Sequence, residues 1–212
     1  MPTLTVSGAI DMLSAVSVKM TAERDHLCEL DGHIGDADHG IAMSQGFIAV
    51  RDALREIDPT GATLSDVFNT AAKSFLNAVG ASSGPLYATA FMRVGKHLKG
   101  VSEISVTKTP EVFALMATGI RDRGKAEPGD KTMMDAWAAA EAKAKNGSDV
   151  VTVLQEIAEA AQAGAQSTID MIASKGRAAR LGERSRGHID PGAASAAMII
   201  RVMTDAFCQI AE

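Results

Sequence analysis

Residues 31–40 read DGHIGDADHG: three aspartates, two histidines and three glycines in ten positions. The stretch separates two segments whose apolar residues recur at helical spacing. On its N-terminal side Ile10, Leu13, Val16, Met20, Leu27 and Leu30 form one stripe, which predicts a helix from about Leu4 to Glu29. On its C-terminal side the pattern predicts a second helix from about Asp38 to Glu56. A loop this acidic must be screened by water or balanced by something positive, because like charges so close repel.

The same periodicity continues outward, and no alternating strand pattern interrupts it. A third helix follows Thr63, which with Asp66 makes an N-terminal capping pair, and ends near Gly80. A fourth runs from about Pro85 to Gly100. A fifth opens at Thr109 with Pro110 in its first turn, where proline is tolerated, and ends near Gly124. A sixth covers Thr132 to Lys145, and an alanine-rich seventh covers Ser148 to about Lys175. The eighth starts at Asp190-Pro191 and runs to the C-terminus. The fold class is therefore all-α, eight helices in a single domain over residues 1–212, with no linker or low-complexity break.

The connections fall into two kinds. After the second, fourth and sixth helices come DPTGAT, GVSEISVTK and KNGSD, ordinary polar turns. After the first, third, fifth and seventh come DGHIGDADHG, GASSGP, RGKAEPGDKT and KGRAARLGERSRGHIDPG, which are rich in Gly, Asp, Ser, Lys and Arg. In an up-and-down antiparallel bundle alternate loops share an end. All four chemically rich loops then meet at one end, and four helix N-termini, which favour anions, point into it.

Composition narrows the classes. With 46% hydrophobic residues over 212 positions, the chain can bury a sizeable core. Aromatics are only 4% and alanine is abundant, which suits closely packed helices. A net charge of −5 argues against a nucleic-acid partner. No run of eighteen apolar residues suggests a membrane span, and the N-terminus lacks a signal-peptide pattern. Two distant cysteines, Cys28 and Cys208, fit a reducing cytoplasm.

Each rich loop carries a candidate chemistry beside a plain structural one. Asp31, Asp36 and Asp38 are hard oxygen donors suited to Mg²⁺, which is usually held by few carboxylates together with substrate phosphates. The alternative is a solvated loop in which Asp38 merely caps a helix. His39 can bind a phosphate or orient a carboxylate, whereas His33 reads as a bystander. Ser82 and Ser83 stand before a helix and can cradle phosphate, or simply cap. Lys125, Lys131 and Thr132 stand before another helix start. The fourth loop holds Arg177, Arg180, Arg184 and Arg186; arginine grips phosphate in a bidentate fork, but a charged surface loop has the same composition.

Taken together and in order, GDADHG, GASSGPL, RGKAEPGDKTM and KGRA-x₂-LGERS-x-GH-x-DPG resemble DhaL, the nucleotide-binding subunit of dihydroxyacetone kinase, over nearly the whole chain. The resemblance implies an eight-helix antiparallel barrel with the nucleotide at one end. It implies two Mg²⁺ ions on Asp31, Asp36 and Asp38, bridging the phosphates of ADP or ATP. It places His39, Gly40, Ser82, Ser83, Thr132 and Arg184 near those phosphates, with Arg184 as the catalytic charge. Gly124, Met133 and the Asp190-Pro191-Gly192 turn would lie near base and ribose. Ala42 stands where relatives often carry Asn.

The resemblance further implies a cytoplasmic kinase subunit that acts only with a separate sugar-binding subunit. The phosphoryl donor is either exchangeable ATP or resident ADP, recharged by a phosphotransferase-system protein. A nucleotide-loaded module acting on a transcription regulator, a subunit for a four-carbon ketose, and a Mg²⁺-dependent phosphohydrolase are the competing readings. Neither nucleic acid nor membrane is an expected partner, and self-association is left open.

Overall fold

A computed structural model describes residues 2–144 and 149–212, so the expected helix end at Lys145 and helix start at Ser148 lie outside the described residues. The predicted first helix is two. α1 (Val6–Ala22) and α2 (Arg24–Ile34) meet at Glu23, whose backbone (φ −92°, ψ 5°) leaves helical geometry without breaking the chain of hydrogen bonds: its N–H still donates to Lys19 O. Nor does the helix stop at Glu29. It continues to Ile34 and carries Asp31 into its last turn.

The start is corrected too. Leu4 is not helical; Thr3–Thr5 forms a strand, β1, paired antiparallel with β2 (Glu103–Ser105), with Leu4 opposite Ile104. Thr5 is extended, and its hydroxyl accepts from Gly8 N at 3.2 Å, so the helix begins one residue later. Three-residue strands are too short to register as alternation.

The remaining helices are α3 (His39–Leu54), α4 (Leu64–Ala78), α5 (Ser83–His97), α6 (Pro110–Gly124), α7 (Met133–Lys143), α8 (Val150–Ser167) and α9 (Pro191–Ala211). The seventh predicted helix thus ends at Ser167 rather than Lys175, in a short 3-10 turn, Thr168–Asp170. There the Thr168 hydroxyl donates back to Ala165 O at 2.6 Å, and Met171 turns extended.

Sequential helices pack side by side from α3 to α9, and α1 closes the ring between α9 and α3. This is the expected up-and-down barrel, with α2 lying on α3 and α9. Its interior is aromatic and aliphatic: Phe47, Phe75, Tyr87 and Phe91 meet largely edge to face, with Phe47 and Phe75 centroids 5.1 Å apart. Small residues set the spacing. A Cβ on Gly46 would stand 2.4 Å from the Phe75 ring, so only glycine lets α3 approach α4 this closely. Helix α9 is long and apolar enough to cross a membrane by composition, but its apolar residues are consumed in the barrel: Ile199, Ile200, Met203 and Phe207 are all buried.

Candidate active site

All four rich loops converge on one cavity of about 600 Å³. The first turns of α3, α5, α7 and α9 form much of its wall, through His39 and Ala42, Ser83 and Leu86, Met133 and Met134, and Pro191 and Gly192. Four helix N-termini, the positive ends of their dipoles, therefore face one space, which favours an anion.

On one side of the mouth sit Asp31, Asp36 and Asp38, each offering a carboxylate oxygen within 4.8 Å of the others. Asp31 is held first. Its Oδ2 accepts from the backbone N–H groups of Asp38 (3.0 Å) and His39 (3.2 Å) across the intervening turn. That turn is tight: Ala37 is left-handed at φ 61°, and a Cβ on Gly35 would fall 2.0 Å from the Asp31 carboxylate. Asp38 occupies the N-cap position of α3 yet makes no capping bond with its side chain, so capping does not explain its carboxylate. Lost hydration, then the charges of Asp36 and Asp31, push its pKa above its ordinary value. Three hard oxygen donors that repel one another fit a divalent cation such as Mg²⁺.

His39 does not serve as a free cation. Its Nε2 is 2.8 Å from Ser195 Oγ, and burial holds its pKa below the ordinary imidazole value against the pull of Asp31. It lines the cavity, and its backbone N–H donates to the Asp31 carboxylate at 3.2 Å. Ser82 precedes α5 without making a side-chain cap, so its hydroxyl is free at the cavity wall, and Ser83 beside it is buried. Thr132 does cap: its hydroxyl accepts from Met134 N while Asp135 bonds back to Thr132 N at 2.8 Å. Asp190 caps α9 by accepting from Ala193 N at 2.7 Å, and burial pushes its pKa up to about 7. Leu86, Ile120, Gly124 and Met133 give the far wall an apolar surface.

The wall is also cationic. Arg123, Lys175, Arg177 and Arg180 line the cavity, and Arg177 reaches across to form an ion pair with Asp36. Two expected residues are not brought in. Arg184 is exposed and outside the cavity wall; it follows Gly182, whose positive φ of 55° interrupts the 3-10 segment Ala178–Ser185. Gly40 is buried away from the wall, where a Cβ would meet Arg24 O at 1.9 Å, so its glycine serves helix packing. Ala42 lines the cavity but brings no polar atom. His33 lies off the site, stacked on His188 with centroids 4.9 Å apart. Arg123 and Lys175 were not singled out from the sequence, whereas Arg177 and Arg180 were named there as phosphate-gripping candidates of the fourth loop.

The DAK2 domain family model matches residues 33–205. The chain belongs to that family. This DAK2 domain is 39% identical over 197 residues to the ADP-binding subunit DhaL of the PEP-dependent dihydroxyacetone kinase 2 of Listeria innocua, covering 92% of this chain and 91% of that protein. It is 37% identical over 187 residues to the corresponding DhaL subunit of Escherichia coli K12, covering 86% and 88%. Among solved structures, the dihydroxyacetone kinase from C. freundii in complex with AMP-PNP and Mg²⁺ superposes with a TM-score of 0.71 at 27% identity. That match covers 93% of this DAK2 domain and 33% of the C. freundii chain.

Proposed function

We propose that this chain, acting as one domain over residues 1–212, is the nucleotide-binding subunit of a kinase for dihydroxyacetone or a related short ketose. It passes a phosphoryl group to a sugar held on a separate subunit. The observation that carries the reading is the cavity itself, where an acidic triad faces an arginine rim and four helix N-termini close the space between them.

Asp31, Asp36 and Asp38 are the residues that would hold two Mg²⁺ ions. Bound there, Mg²⁺ supplies charge compensation on the phosphates of ADP or ATP. The remaining work belongs to side chains and backbone. Arg177 and Arg180 offset negative charge on the phosphoryl group in transit, a task that sequence reasoning assigned to Arg184. The Ser82 hydroxyl and the N–H groups at the starts of α3, α5, α7 and α9 orient the phosphates. Leu86, Ile120, Gly124 and Met133, with the Asp190-Pro191-Gly192 turn, hold base and ribose and exclude water. No side chain needs to carry the phosphoryl group covalently.

The L. innocua and E. coli relatives match almost end to end and are named ADP-binding subunits. This supports the version in which ADP stays bound and a phosphotransferase-system protein recharges it; the expected setting is the cytoplasm. The test is to denature the purified protein and measure released nucleotide, then mix native protein with the sugar subunit and either donor. Stoichiometric ADP and transfer only from the phosphotransferase-system donor are expected. Transfer from exchangeable ATP would reassign the donor. Absence of transfer with both donors would overturn the kinase reading.

A further inference from the structure

Lys131 is 1% exposed, and it does not line the cavity. Its Nζ donates to the carbonyl oxygens of Thr168 and His188. Those two carbonyls mark the two ends of the loop that carries Arg177 and Arg180: Thr168 follows α8, and His188 precedes the cap of α9. Two backbone donors close the same neck, Gly187 N to Ile169 O at 2.8 Å and Asp190 N to Thr168 Oγ1 at 2.9 Å. The residue before the lysine holds the loop's outward arm, since Asp130 O accepts from Ser174 N at 3.2 Å.

The backbone of Lys131 is left-handed, with φ 59°, a conformation that lysine adopts only at a cost and glycine adopts freely. A lysine there makes sense if its side chain is needed. Burial draws its pKa down, while Asp190, Asp135 and Asp170 act against that.

We propose that Lys131 is the positioning residue of the arginine loop. By tying both ends of residues 168–188 to the start of α7, it sets Arg177 and Arg180 against the acidic triad. It acts through other residues and touches no phosphate. The inference rests on the reading of this cavity as the nucleotide site, but its structural half is testable with no nucleotide present.

The test is Lys131→Met, which keeps the aliphatic stem and removes the donors. In ligand-free protein, amide exchange across residues 171–187 should accelerate about tenfold or more, while α4 and α5 stay at wild-type rates. Trypsin should cut faster after Arg177 and Arg180. Affinity for ADP with Mg²⁺ should fall about tenfold or more, as expected when a contact-making loop is no longer held in place. Unchanged exchange would overturn the proposal, and so would faster exchange with unchanged ADP affinity. If wild-type protein fails to bind ADP with Mg²⁺, the nucleotide reading fails, and the exchange rates still decide the clamp. Should Lys131→Met not fold, Lys131→Gln, whose shorter side chain cannot reach both carbonyls, is measured in its place; wild-type exchange in that variant would overturn the proposal.

Discussion

The two ends of the barrel are built from the same kind of parts and use them differently. At the end away from the cavity, the capping side chains of α4 and α8 serve their own helices, while the Thr109 hydroxyl at the start of α6 turns back to Val106 O. Thr63 and Asp66 bond reciprocally at the start of α4, and Asp149 accepts from Val151 N and Thr152 N at the start of α8. At the cavity end the pattern is mixed: Thr132 and Asp190 cap α7 and α9, but Asp38 and Ser82 occupy the N-cap positions of α3 and α5 without making a capping bond. The three non-glycine residues with positive φ among the described residues, Ala37, Lys125 and Lys131, also lie in the cavity-end loops. Polar groups left unused by the fold, and backbone held in costly conformations, mark where a ligand is to complete the interactions.

The comparison can be broken most forcefully at the arginine rim. Arg177→Ala should lower single-turnover phosphoryl transfer about 10³-fold, the scale of an arginine acting on a transferring phosphoryl group. Its melting temperature should hardly move, because Arg177 is exposed and its surface ion pair with Asp36 contributes little. Arg184→Ala should be far milder; equal losses in the two variants would restore the role to Arg184.

Next in size is the acidic triad. Asp38→Asn should weaken binding of ADP with Mg²⁺ by about 2–5 kcal/mol, the range for removing one member of a close charge pair. In metal-free buffer the same variant should melt slightly higher, because it relieves repulsion among three carboxylates. Calorimetric titration beside a melting curve checks both, and a lower melting temperature would show that Asp38 is structural after all.

A far-end substitution should show the reverse pattern. Thr63→Ala removes a working cap and should cost about 0.5–2 kcal/mol of stability without touching nucleotide affinity. Ser82→Ala should leave stability unchanged and weaken nucleotide binding. Denaturant melts and titrations of the two variants side by side would collapse the contrast if both lost stability alike.

A further contrast is a pH dependence. Asp190 in the folded protein has its pKa pushed up to about 7, against about 3.9 for a free aspartate. Between those values the folded state keeps a proton that the unfolded chain has lost, so this group lowers stability as pH rises through the window. Asp190→Asn, which keeps a capping oxygen, removes that contribution. The wild type should therefore lose ground to the variant between pH 5 and pH 8, by roughly 2–4 °C for each kcal/mol involved. A constant difference in melting temperature across that range would exclude the effect.

The sequence by itself determined the all-α class, most helix boundaries and which loops share an end, because these follow from local periodicity, caps and the alternation of an antiparallel bundle. It also marked the acidic triad, since three aspartates in ten residues are unusual wherever they fall. Tertiary structure decided what local pattern cannot reach. It split the first helix at Glu23 and carried it on to Ile34, so that Asp31 projects from a helix end rather than a loop. It paired Leu4 with Ile104 across about a hundred residues. It placed Arg177 and Arg180, but not Arg184, in the wall of the cavity, although all three share one loop. Residue type supplies the chemistry, but direction comes from contacts between segments far apart in the chain.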